Sequence, residues 1–554
     1  MKMTAAKAIV EVMAQEGVTK AFCVPGESYL SVMNELYEHP QIELIHGRHE
    51  GGVSFMAEGY AKASGKVGVC FATRGPGATN LSIGLHTANQ DSTPLVAFIG
   101  QVEREFLGRE GFQEIDLAAY FSHLVKWTVE LDNASRVPEL VHRAFHMARS
   151  GRPGPVLVSL PQDVLDEVAE MSFQDAVVYS APRPDREAVL EAKKLLESAQ
   201  RPVIIAGGGV TGTKSAPELV ALSERLNVPV TVSFRRFDAF PNQHPHYAGH
   251  VGIGPAESLL KLIKEADVVL AIGTRFSQIT SQDYTLLNPK SKLIHVDISQ
   301  DELNKVYRPA LGIVADSKRF MQDLMSELDA DNTYPERTAY VQQAHQNYLA
   351  TATPQRKNVE GFVSLDNMII DLMEQLPSDA ILTSDAGNFF GWMARYYSFR
   401  EEGTFVGPTS GAMGYGLPAA IGAKVAKPER TVVSFSGDGG FMMTMQELET
   451  AVRHQIPVIA IVANNNRFGT IRMHQEKIFP DRVIATELSN PNFGEFMRNV
   501  GGHGEVVQKS EDFPAALQRA IASGKPAVIE VMIDPNQITA TKTVDELRGA
   551  VVKN

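Results

Sequence analysis

The 554-residue chain reads as an α/β protein of three domains, each a parallel sheet flanked by helices. Three observations predict this. Short, unbroken apolar runs rich in Val, Ile and Phe recur, each followed by a Gly-containing turn and a helical stretch. Such runs are strands buried on both faces, and their alternation with helices gives parallel sheets. The length fits three or four domains at about 100–200 residues each. Two polar, proline-bearing stretches, 174–186 (QDAVVYSAPRPDR) and 330–357, break the rhythm and cut the chain into blocks of 1–175, 187–330 and 357–540.

The elements follow in order. The opening MKMTAAKAIVEVMAQEG lacks the core of a signal peptide and reads as an amphipathic helix. Strands are expected at 67–73, 95–99 and 155–160 in the first block, and at 203–206, 268–272 and 293–296 in the second. The third block offers 431–435 and 458–462, with a helix between them at 444–454. Hydrophobic residues make up 44% and charged residues 21%, the balance of a soluble globular protein. A chain this long buries most of its unfolded surface and needs no covalent staples. The two cysteines, Cys23 and Cys70, lie in apolar surroundings and exclude a disulfide scaffold or Cys-rich zinc cluster. Lys+Arg 52 against Asp+Glu 65 gives −13, which argues against nucleic acid or an anionic membrane as the main partner. No apolar run reaches the roughly 20 residues that span a bilayer. The expectation is a cytoplasmic protein acting on small molecules.

The sharpest chemical signal is in the third block. The strand TVVSFS runs into Gly437-Asp438-Gly439-Gly440, and the strand PVIAIVA ends in Asn464-Asn465-Asn466-Arg467-Phe468-Gly469. Both clusters fall at the carboxyl ends of parallel strands, where open α/β sheets bind ligands. A carboxylate, a side-chain amide and free carbonyls suit a hard divalent cation. The glycines let backbone approach a phosphate, and the following helix N-terminus favours an anion. Either cluster alone is an ordinary turn. The pair at this spacing points to a Mg²⁺–diphosphate site.

This pair resembles the diphosphate-binding motif of the thiamine-diphosphate enzymes. The resemblance spans the chain: RHEGG at 48–52, TRGPGATN at 73–80, GFQE at 111–114, GRPGPV at 151–156 and SGAMGYGLPAA at 410–420. The set is similar to the acetolactate synthase-like branch of the family. It implies a pyrimidine-binding domain, a Rossmann-like central domain and a diphosphate-binding domain, in that order. The active site then lies between the first domain of one subunit and the third of another, in a homodimer or tetramer. By this resemblance Asp438 and Asn465 are side-chain Mg²⁺ ligands, and Arg467 gives its backbone carbonyl. Gly387, Asn388, Phe389, Gly437, Gly439, Gly440, Phe468 and Gly469 fall where the family holds the cofactor. Gly411 offers a carbonyl to the 4′-amino group, and Met413 is the apolar wedge beneath the bent cofactor. Glu50 stands where the family places its indispensable acid. A carboxyl group bonded to N1′ of the aminopyrimidine favours the imino tautomer that removes the C2 proton. The thiazolium then serves as electron sink when a 2-oxo acid loses CO₂.

Departures from acetolactate synthase bear on substrate. Glu27-Ser28 follows Pro25-Gly26 where the synthases have Gly-Ala. Aldehyde-releasing decarboxylases carry an aspartate at the Glu27 position, so Glu27 is either a second acid–base group, its pKa raised if buried, or a solvated loop carboxylate. The His-His pair of those decarboxylases is absent from REFLGREGFQ at 104–113, and Gln113 matches the synthase glutamine. His474 replaces the acceptor-selecting tryptophan, and Arg472 beside it could meet a carboxylate. Ser28, Phe112, Arg472 and His474 are the candidate substrate contacts. Pro161-Gln162-Asp163 replaces the Pro-Lys-Asp of biosynthetic synthases, as in catabolic relatives. In the central block, Gly207-Gly208-Gly209 after a strand is by itself only a weak dinucleotide signal, while Gly273-Thr274-Arg275-Phe276 resembles the flavin-contacting stretch of biosynthetic synthases. Its acidic and basic partners are here Ser277 and Ile279, while Asp297 and Asp316 remain as ribose or adenine contacts. FAD, an ADP-like ligand and an empty site all stay open. The expected activity is decarboxylation of a 2-oxo acid with carboligation, pyruvate to 2-acetolactate. Its alternatives are an aldehyde-releasing decarboxylase, or a carboligase or lyase acting on another 2-oxo acid or acyloin. An NAD-linked dehydrogenase would leave Glu50, Asp438 and Asn465 unexplained, and a silent relative would not keep them.

Overall fold

The computed structural model describes residues 1–551, with side chains to residue 548. Three six-stranded parallel sheets follow one another along the chain. The first runs from Lys20–Cys23 to Pro155–Pro161, the second from Pro202–Ala206 to Leu311–Val314, the third from Ile381–Ser384 to Ala527–Met532. Counting strands within each sheet in chain order, the first and third share the arrangement 2-1-3-4-6-5. The central sheet has the order 3-2-1-4-5-6 of doubly wound nucleotide-binding sheets. The eight expected strands are all present.

Two helical expectations need correction. The helix expected at 444–454 is Glu447–Arg453, preceded by a one-turn helix, Asp438–Phe441. The second polar break holds a helix, Thr338–Ala352. Only Val341 and Ala344 of that helix are buried, so its apolar stripe is too thin to see in sequence. Arg337 docks its start, donating to the carbonyls of Leu196, Ala199 and Leu226 at 2.8 Å each.

The first and third sheets share one apolar core. Its centre is the crossing of helices Glu50–Ser64 and Gly416–Ala426. A Cβ on Gly59 would lie 2.4 Å from Ala419 O, and one on Gly422 would lie 2.0 Å from Met56 O. Backbone therefore touches backbone at the crossing.

Beside it lies a buried polar cluster. Glu58 accepts from Thr93 Oγ1 (2.7 Å) and the Tyr415 hydroxyl, and pairs with Lys62 (2.8 Å). Asp91, fully buried, accepts from Lys62 Nζ at 2.9 Å, Arg236 Nη2 at 3.2 Å and the Thr409 amide at 3.1 Å. Burial raises the pKa of its carboxyl, but Lys62 and Arg236 outweigh this and hold it below its ordinary value. Cys23 and Cys70 are buried and unpaired, and burial pushes the Cys23 thiol up to about 12.

Gly422→Ala tests the crossing by the sign of its effect. In an exposed helix the change stabilises by about 0.5–1 kcal/mol. Here the added methyl meets Met56 O, and overpacking of this kind costs about 1–3 kcal/mol. Thermal unfolding should show a lowered midpoint; a raised one would mean the helices part freely.

Candidate active site

Strands Val432–Gly437 and Ile459–Asn464 lie side by side, with Gly437 opposite Ala463. Their polar continuations therefore meet at one sheet edge. Asp438 is 2% exposed, and burial raises its carboxyl to about 6. Asn490 bridges the two turns: its Nδ2 donates to Asp438 Oδ2 (2.7 Å), Asn466 Oδ1 (3.1 Å) and Asn464 Oδ1 (3.2 Å). Asn464 is anchored from beneath, donating to buried Glu530 at 2.6 Å. Asn465 Oδ1 accepts from the Arg467 amide at 3.2 Å. The Arg467 guanidinium is taken by Pro535 O (3.2 Å) and Glu487 (3.7 Å), which leaves the backbone as its offer to the site.

A cavity of about 250 Å³ opens here. It is lined by Gly387, Asn388, Phe389, Gly411 and Met413, by Gly437, Asp438, Gly439 and Gly440, and by Asn465, Arg467, Phe468 and Gly469. The thirteen cofactor-binding candidates of the third block thus line one space. The glycines are required by contact: a Cβ on Gly439 would come 2.6 Å from Phe468, and one on Gly440 2.7 Å from Asp385 Oδ2.

Sequence reasoning missed Asp385, Thr470 and Asn490. Asp385 follows strand Ile381–Ser384 and accepts the Gly416 amide at 2.5 Å, while its buried Oδ2 has no partner among the described residues. Burial raises its carboxyl to about 6. Its place after a strand was the available signal. Thr470 Oγ1 donates to Asn388 Oδ1 (3.1 Å) and accepts the Asn388 amide (3.0 Å).

The first-block candidates gather at the carboxyl edge of the first sheet, around the start of helix Arg74–Asp91. Glu50 opens its helix and accepts from Asn80 Nδ2 at 2.9 Å. Gln113 has a positive φ of 65° and takes the Gly75 amide on its carbonyl at 2.9 Å. Within one chain Glu27 is 63% exposed and paired with Arg74 at 3.1 Å. Phe112 is 70% exposed. Within one chain none of these lines the cavity of the third sheet.

Two substrate candidates are engaged within the chain itself. Ser28 is fully buried against Gly100 and bonded to Thr73 Oγ1 at 2.6 Å, so its hydroxyl is closed to a ligand. Arg472 meets the protein's own carboxylates, Glu476 at 2.7 Å and Glu487 at 2.8 Å. Glu476 also receives Arg548 (2.6 Å), chiefly for which its carboxyl falls to about 2. This pairing docks helix Val544–Val551 on helix Gly469–Ile478. His474 is exposed and lines an adjoining cavity. In the central domain, Gly208, Gly209, Gly273, Arg275, Ile279, Asp297 and Asp316 line a further cavity of about 500 Å³. There Asp297 accepts the Ser299 amide and Asp316 caps a helix through the Arg319 amide.

Two sheets of one topology around a doubly wound central sheet, with a glycine-lined oxygen-donor cavity, define a three-domain cofactor-dependent enzyme. Sequence comparison is specific about which. Residues 3–120 match the thiamine pyrophosphate enzyme N-terminal TPP binding domain, 189–324 its central domain and 385–531 its C-terminal TPP binding domain. The chain belongs to the thiamine pyrophosphate enzymes. It is 33% identical over 548 residues to a probable acetolactate synthase large subunit of Methanocaldococcus jannaschii, covering 96% of this chain and 92% of the relative. It is 32% identical over 535 residues to the acetolactate synthase isozyme 2 large subunit of Escherichia coli, covering 96% of each.

Glu476→Gln should loosen the C-terminal helix, since a neutral amide cannot offset Arg472 and Arg548. Limited proteolysis should then cut within 540–548 faster than in the parent protein. Because the carboxyl is depressed, its contribution is complete above its ordinary value of 4.5 and is lost as pH falls toward about 2. Equal cleavage rates would mean that the apolar contacts of Met473 and Leu547 hold the helix alone.

Proposed function

We propose that this enzyme uses thiamine diphosphate with Mg²⁺ to decarboxylate a 2-oxo acid and join the remaining acyl unit to a second carbonyl compound. Pyruvate to 2-acetolactate is the reference reaction. The observation that carries this is the convergence of Asp438, Asn465 and the Arg467 backbone beside a glycine cradle. The donor set fits the metal: one carboxylate, one amide and one carbonyl are hard oxygens, and Mg²⁺ completes such a set with phosphate oxygens and water. Among the described residues no cluster of three His, Cys, Asp or Glu offers a softer site. Asp438, Asn465 and Arg467 O would hold the metal, and Gly437, Gly439 and Gly440 let backbone amides reach the diphosphate. Bound thiamine diphosphate supplies a nucleophilic carbon and an electron sink for decarboxylation.

The chain's own groups do the rest. Glu50, fixed by Asn80, would hold a proton at the pyrimidine N1′ of the bound cofactor. Gly411 and Met413 line the same cavity, where the Gly411 carbonyl would accept the 4′-amino group and Met413 would pack against the cofactor. Gln113 sits at the same edge as Glu50. Because neither residue lines the cavity of its own chain, the site is read as closing between the first sheet of one copy and the third sheet of another. This supports a homodimer or a tetramer built from it. Carboligation is favoured over aldehyde release by Glu27: tied to Arg74, it would have to leave that pair to protonate a product. No described helix is long and apolar enough to cross a membrane; the cytoplasmic placement is our reading for an enzyme of small 2-oxo acids. The central cavity keeps Asp297 and Asp316 as contacts for an ADP-like ligand; Ile279 offers no charge to FAD.

Incubation with thiamine diphosphate, Mg²⁺ and pyruvate should yield 2-acetolactate by NMR; free acetaldehyde would favour the decarboxylase. Glu50→Gln should lower turnover about 10²–10⁴-fold while the cofactor still binds, and undiminished turnover would sink its role. Asp438→Ala should abolish the Mg²⁺ dependence of cofactor binding in a fluorescence titration. Equal affinity with and without Mg²⁺ in the parent protein would refute the metal assignment.

A further inference from the structure

A second cavity, of about 670 Å³, adjoins the cofactor pocket and shares Gly387, Asn388, Gly411 and Thr470 with it. It lies between the central sheet, the third sheet and the C-terminal hairpin. Cavities of about 300–1,000 Å³ hold ligands far larger than a three-carbon acid.

Its charge is one-sided. Arg235, Arg395, Lys477 and Lys542 line it, and among the described residues no Asp or Glu does. This is against the trend of a chain whose net charge is −13. The ion pairs of the region go elsewhere, with Arg472 and Arg548 spent on Glu476. Arg395, Lys477 and Lys542 have no carboxylate partner among the described residues; the two lysines are exposed, whereas Arg395 Nε is buried without an acceptor among those residues. Arg235 is 3% exposed; it donates to Asp385 O at 2.9 Å and rests over the Phe390 ring at 4.4 Å, while its Nε and Nη1 find no hydrogen-bond partner among the described residues. Buried cationic donors left unpaired are costly unless a ligand completes them.

The geometry also sets a length. Thr470, Met473, His474 and Lys477 line the cavity at i, i+3, i+4 and i+7, one face of helix Gly469–Ile478. Thr470 stands at the cofactor pocket. Lys477 lies two turns farther, about 10 Å along the axis at 1.5 Å per residue. An anion held there is well separated from the reacting carbonyl.

Resting on the carboligation reading above, we propose that the acceptor is a carbonyl compound larger than pyruvate, with a distal oxyanion held by Arg395, Lys477 and Lys542. The reaction balances as pyruvate plus acceptor plus one proton giving CO₂ and an α-hydroxyketone. The bond to the pyruvate carboxylate breaks and a carbon–carbon bond forms to the acceptor carbonyl, whose oxygen takes the proton. The oxyanion is unchanged throughout.

The test is a competition assay with the full-length enzyme, cofactor, Mg²⁺ and pyruvate. Succinic semialdehyde carries a distal carboxylate and glycolaldehyde phosphate a distal phosphate; butanal is the neutral control. The anionic acceptors should be preferred over butanal by about tenfold or more in kcat/KM, the worth of a charge-assisted hydrogen bond. The better of the two identifies the oxyanion. Lys477→Gln with Lys542→Gln should bring the preference toward unity. Equal use of butanal by the parent enzyme, or a preference untouched by the substitutions, would overturn the proposal. A calorimetric titration with succinate against butyrate reads the same cationic wall without turnover. Selective succinate binding lost in the double variant supports the wall even if pyruvate releases no CO₂, an outcome that would instead remove the carboligation reading. Equal, weak binding of both overturns it.

Discussion

The architecture depends on one buried carboxylate. Asp91 belongs to the first block, yet it binds Lys62 of its own block, Arg236 of the central domain and the Thr409 amide of the third. A buried carboxylate is tolerable only when its charge and lone pairs are met. Here each of the three blocks supplies part of that need, so the ion is satisfied only when all three are in place. The crossing of glycine-bearing helices beside it fixes the distance between the outer sheets, because backbone contact leaves no slack. Together they set where each sheet edge points.

That placement decides the chemistry. The oxygen donors around Asp438 sit at one edge, the Glu50 cluster at another, and within a chain they do not share a cavity. Each set is held from behind by its own hydrogen bonds: Asn490 and Glu530 for the first, Asn80 and Arg74 for the second. Catalytic geometry of this kind is preorganised by rigid strand ends rather than by the loops themselves.

Much of this was legible in the sequence because strand ends announce themselves. Asp438 and Asn465 were readable since each follows an apolar run, and adjacency in a parallel sheet does the rest. The same rule applies to Asp385, but nothing in DAGNFF distinguishes a carboxylate aimed at Gly440 from a turn residue. Asn490 lies in a loop 24 residues beyond Asn466 in sequence, and only the folded chain brings it back. Arg472 looked free because its partner Glu476, at i+4 on the same helix, is an ordinary helical pair whose burial under Arg548 is a tertiary fact. Ser28 looked like a pocket residue because its burial depends on Gly100, far along the chain. The cationic wall was invisible for the same reason, its members coming from four separate elements.

The repetition of one strand order in the first and third sheets has a genetic side. In the proposed assembly every chain contributes a carboxylate edge to one centre and a metal-holding edge to another. Two alleles broken on different sheets would then complement, since a mixed dimer retains one centre with both edges whole. Two alleles broken on the same sheet would not. Intragenic complementation would thus map the chain into two functional territories, with the central sheet belonging to neither.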